Sequence, residues 1–77
     1  MIVNKISEIM GKHRIRVEDI VRNTGLARNT VRGLYYSEVR RVDLDTLDKL
    51  CKFFAEYEPD LKLTDLIDYV REEENNE

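Results

Sequence analysis

From the second residue onward, apolar side chains recur every three or four positions. Ile2, Ile6, Ile9 and Met10 stand at i, i+4, i+7 and i+8, one face of a helix, and predict a first helix over about Ile2–His13. Val17, Ile20 and Val21 repeat at i, i+3, i+4 and predict a second over about Val17–Thr24, with Glu18 and Asp19 in its first turn, where acids suit the helix dipole. Val31, Leu34 and Tyr35 repeat the spacing in a third segment, about Arg28–Tyr36. After a polar loop over 37–43, Asp43 is a candidate N-cap for a fourth helix whose stripe is Leu44, Leu47, Leu50, Cys51 and Phe54. Glu58-Pro59-Asp60 breaks it, since proline cannot continue a helix. A fifth helix is predicted over about Asp65–Glu72, capped by Thr64, with Leu66, Ile67, Tyr69 and Val70 as apolar positions. Hairpin dipeptides such as Asn-Gly are absent, so the expected fold class is all-α, a compact five-helix bundle.

Residues 17–36 read as one unit. Gly25 suits the left-handed conformation that ends a helix, because it has no side chain to clash. Leu26 can then turn inward, and Ile20, Val21, Val31 and Leu34 supply facing apolar surfaces. Two helices joined this way cross steeply, as in a helix-turn-helix. The outward positions of the third segment are Arg28, Asn29, Arg32 and Gly33, a small, basic and polar face. Such a face fits a groove about 12 Å wide, where arginine pairs with guanine and asparagine with adenine. The same arginines read equally as solvated helix residues when taken without the turn.

The 77 residues allow one domain, expected over 1–70, followed by a frayed acidic tail over 71–77. The net charge of −3 hides a division. Residues 1–41 carry nine Lys/Arg against four Asp/Glu, a net of +5, and residues 42–77 carry four against twelve, a net of −8. A polyanion responds to the local field of the face it meets, not to the sum over the chain. Arg40-Arg41 adds to the basic half, although a short charged loop is by itself only well solvated.

The remaining chemistry is sparse. Cys51 is the only cysteine, so an internal disulfide is excluded and a reducing, cytoplasmic setting is expected. His13, the only histidine, is placed to close the first helix and has no neighbouring Cys or His with which to hold a metal. With no clustered His, Cys or Ser arrangement, no catalytic residues, cofactor or metal are expected. No apolar run exceeds three residues, too short to span a membrane.

Arg14–Leu50 resembles the lambda-repressor/Cro-like, or XRE-type, helix-turn-helix family. The resemblance lies in Glu18-Asp19-Ile20-Val21, Thr24-Gly25-Leu26, Arg28-Asn29-Thr30-Val31, Leu34 and the run from Leu44 to Phe53, and extends over about residues 2–70. It implies five helices, a transcriptional regulator (a repressor by expectation) and a homodimer on a palindromic double-stranded DNA operator. Carried over by position, Arg28, Asn29 and Arg32 face bases, while Thr30, Tyr36, Arg40 and Arg41 lie near phosphates. The chain departs from the pattern at several points. Val17 replaces a frequent glutamine, and Val21 a usual alanine. Ala27 stands at the usual Ser/Thr cap, at a cost of about 1 kcal/mol. Gly33 offers no side chain where relatives read a base, and Ala55–Leu63 exceeds the family's short link. That longer segment and the acidic half also admit another reading, a protein-interaction module such as an antitoxin or anti-regulator.

Overall fold

A computed structural model of the chain describes residues 1–72. Four helices follow one another: α1 (Ile6–Lys12), α2 (Val17–Thr24), α3 (Arg28–Tyr35) and α4 (Leu44–Ala55). Two short strands, β1 (Ile2–Asn4) and β2 (Ile67–Tyr69), pair antiparallel with Ile2 opposite Tyr69 and Asn4 opposite Ile67. A single 3-10 turn, Leu63–Asp65, leads into β2.

The five-helix, all-α expectation is therefore corrected at both ends. The first helix does not begin at Ile2. Asn4 stops it, because its carboxamide oxygen accepts from the Ile6 amide at 2.8 Å and so fixes the start of α1 two residues later. Ile2, read as part of the stripe, is a strand residue and largely exposed. The fifth helix is replaced by the 3-10 turn and β2. Of its four apolar positions only Leu66 is fully buried, so a helical stripe there has little surface to cover. Strand pairing instead satisfies the backbone at both termini: Lys5 donates to the Leu66 carbonyl at 2.7 Å, and Val70 to the Met1 carbonyl at 2.8 Å. The acidic tail expected over 71–77 lies, beyond Glu72, outside the described residues.

The core is assembled from Ile6 and Met10 of α1, Ile20 of α2, Val31 and Leu34 of α3, Leu50 and Phe54 of α4, and Leu66. Full burial of a side chain of this kind stabilises by about 1.5–3 kcal/mol. The stripe of α4 runs through Leu47, Leu50 and Phe54, but Leu44 is 80% exposed. The Asp43 carboxylate accepts from the Thr46 amide at 2.8 Å, making Leu44 the first helical residue, one turn before the packed face. Cys51 is half-buried rather than fully enclosed, and burial pushes its thiol above the ordinary value.

His13 ends α1 as expected, and its Nε2 lies 2.7 Å from Glu58 Oε2. Lys12 Nζ reaches the same carboxylate at 3.0 Å. The long segment after α4 is thus fastened beneath the end of α1, and Leu61 packs half-buried on the core as the chain returns toward β2. No helix among the described residues is long and apolar enough to cross a membrane.

Candidate functional site

The turn between α2 and α3 is built from local bonds. Gly25 adopts φ +78 and donates to the Val21 carbonyl at 3.0 Å, ending α2 in the left-handed region. Thr24 adds a second lock: its Oγ1 donates to the Ile20 carbonyl at 2.6 Å and accepts from the Leu26 amide at 3.1 Å. Leu26 packs half-buried against the core, as the inward turn requires. At the other end of α2, Asp19 accepts from the Arg16 amide at 2.9 Å. Val17 and Val21 both pack partly buried on the same core. Ala27, at the N-cap of α3, gives no side-chain hydrogen bond.

Burial of Val31 and Leu34 fixes the rotation of α3. The face away from them carries Asn29, Arg32 and Tyr36, with Arg28 at its flank in the first turn, and all four are exposed. Asn29, Arg32, Gly33 and Tyr36 line one shallow depression with Glu38. Arg32 lies over the Tyr36 ring at 5.8 Å, within cation–π range, and Tyr36 meets the edge of Tyr35 with centroids 4.9 Å apart. Tyr35 and Tyr36 are both exposed, so neither enters the core. Thr30 is half-buried.

Arg28 stands apart from the depression. Its Nη1 donates to the Glu18 carboxylate in the first turn of α2. That hydrogen bond, with the guanidinium charge, holds the Glu18 carboxyl below its ordinary range and raises the arginine further. Arg40 borders a separate groove between β1 and the loop after α3, and Glu38 lines both this groove and the depression. Arg41 is exposed in the same loop. The structure therefore gathers Asn29, Arg32 and Tyr36, sets Arg40 beside the adjoining groove, and ties Arg28 to α2.

Three participants are not evident from the sequence. Glu18 has a sufficient explanation in the helix dipole, and nothing in its ten-residue separation from Arg28 announces a pair. Glu38 and Val39 sit in a loop whose course depends on Ser37 at φ +57, an uncommon conformation for a residue other than glycine. That course lays Val39 over Gly33. Among the described residues, no group of three or more His, Cys, Asp or Glu is arranged to hold a metal ion.

A family model described as the Cro/C1-type HTH DNA-binding domain matches residues 5–72. No curated protein and no solved structure matches the chain significantly.

Proposed function

The chain belongs to the Cro/C1-type helix-turn-helix DNA-binding family, and from that premise we propose that it is a sequence-specific transcriptional repressor whose α3 enters the major groove of duplex DNA. The observation that carries this reading is the exposed face of α3. Asn29 and Arg32 are exposed on the side of α3 away from Val31 and Leu34, and Arg28 is exposed at its first turn, behind a turn fixed by Gly25 and Thr24. These three are assigned to base edges, where arginine donors suit guanine O6 and N7 and an asparagine amide suits adenine N6 and N7. Thr30, Tyr36, Arg40 and Arg41 are assigned to phosphates, which set register but carry little sequence information.

One α3 helix reads too few base pairs for high selectivity, so a homodimer on a palindrome is proposed, with half-sites about 34 Å apart. The net charge of −8 over residues 42–77 would discourage unproductive contact of that half with DNA. Selection of bound sequences from random duplex DNA tests the whole reading. An enriched palindrome is expected, and Arg28→Ala should remove the preference at one base pair of each half-site. Failure to enrich any sequence contradicts the proposal.

A further inference from the structure

The contact between Glu18 and Arg28 has a use beyond joining two helices. Glu18 belongs to the first turn of α2, and Arg28 is the first residue of α3. The pair therefore bridges the two halves of the motif at the edge of the proposed reading face. Both side chains are about half exposed, 47% for Glu18 and 53% for Arg28. Ion pairs so open to water add little to stability. Their consequence lies in where the guanidinium is held.

Arg28 has no other side-chain partner among the described residues, and Ala27 supplies no capping group beside it. A free arginine side chain samples many rotamers, and its guanidinium pairs with phosphate as well as with guanine. The contact with Glu18 occupies one nitrogen, Nη1. A guanidinium carries five N–H donors in a planar fork, so the remaining edge is free to meet two acceptors together.

We propose that Glu18 is a positioning residue for base recognition: its carboxylate holds Arg28 so that the free edge of the guanidinium meets a guanine, and it disfavours the same arginine's contact with phosphate. The inference rests on the assignment of Arg28 to a base edge. It makes Glu18 a source of selectivity obtained at the expense of affinity, because a carboxylate beside a polyanion is repelled whatever the sequence. Removing the charge therefore moves two observables in opposite directions. Preference at the Arg28 base pair falls, while binding to arbitrary duplex DNA strengthens.

The test compares the full chain with Glu18→Gln, Glu18→Ala, Arg28→Ala and the Glu18→Gln/Arg28→Ala double variant. Each is equilibrated with a random duplex library, bound sequences are counted position by position, and affinity for unselected duplex is titrated in parallel. Glu18→Gln is nearly isosteric, and circular dichroism establishes that each variant is folded. Both Glu18 variants are expected to lower the preference about twofold to fivefold at the position where Arg28→Ala lowers it, the range an exposed ion pair can supply. Both should also tighten binding to unselected duplex. In the Arg28→Ala background, Glu18→Gln should leave the preference unchanged. If the Glu18 variants keep full preference where Arg28→Ala loses it, the positioning role is overturned and Arg28 remains a base reader. If Arg28→Ala itself keeps full preference, the base assignment fails and the inference fails with it.

Discussion

Val39 occupies the space that a side chain at residue 33 would need: a Cβ built on Gly33 would stand 2.6 Å from Val39 Cγ1. The contact follows from the way α3 ends. Ser37 turns into the left-handed region, Glu38 donates to the Gly33 carbonyl at 2.8 Å, and Val39 is folded back onto the helix. Gly33 is therefore no empty position on α3, because a loop residue covers it. Alanine there gains about 1 kcal/mol of helix propensity but must displace a stiff branched side chain, at about 1–3 kcal/mol. Gly33→Ala is expected to destabilise by about 1 kcal/mol on balance. With Val39→Ala the obstructing methyl is gone, and the remaining Cβ lies 4.0 Å away, an ordinary contact. In that background Gly33→Ala should stabilise by about 1 kcal/mol. Urea unfolding of the four chains measures the reversal, and equal effects in both backgrounds would refute the contact.

Asn4 ties β1, α1 and α3 together. Its Oδ1 accepts from the Ile6 amide, and its Nδ2 donates to the Leu34 carbonyl, each at 2.8 Å. Asn4→Ala removes both bonds at a partly buried site and leaves an amide and a carbonyl without these partners. A loss of about 1–3 kcal/mol is expected. Faster hydrogen exchange at the Ile6 amide should accompany it, and unchanged exchange there would exclude a part for this bond in holding the start of α1.

The middle of the chain was legible because its determinants are local. Gly25 and the apolar spacing of α2 and α3 lie within twenty residues, and helical periodicity reports burial directly. The ends were not legible, for two physical reasons. Three-residue strands are too short to display alternation, and a short apolar run fits helix and strand alike. Their pairing also joins Ile2 to Tyr69, a contact that no local pattern encodes. Asn4 was the one local sign, a residue that competes for backbone hydrogen bonds where a helix was expected. In the site, the exposed face of α3 could be read from its period. The Glu18–Arg28 pair and the placement of Val39 could not, since each depends on how separate segments pack.

The Glu58 carboxylate fastens the long segment after α4 to the end of α1. Its hydrogen bond with His13, reinforced by that with Lys12, holds it below its ordinary value of 4.5. A carboxylate with a depressed value in the folded protein stabilises fully above its unfolded value, and that contribution is lost as the pH falls through the folded one. Glu58→Gln should therefore lower the melting temperature at neutral pH. The gap between the two proteins should narrow progressively below about pH 4.5. Thermal melts across the acid range check this, and a gap that persists at the acid end would show that lost packing, not lost charge, causes the difference.

Arg40 and Arg41 are exposed in the loop that follows α3, with Arg40 bordering the groove beside β1. Neither has an ion-pair partner among the described residues, so both charges are available to phosphates. Each phosphate neutralised on duplex DNA adds about 0.9 to the slope of log affinity against log salt. The double substitution Arg40→Gln/Arg41→Gln is expected to flatten that slope by about two per protomer. It should weaken binding to selected and unselected sequences by a similar factor, because phosphate contacts are blind to the bases. Titrations at several salt concentrations on both kinds of duplex separate the outcomes. A loss confined to the selected sequence would move these residues from the phosphates to the bases, and an unchanged slope would remove them from the interface.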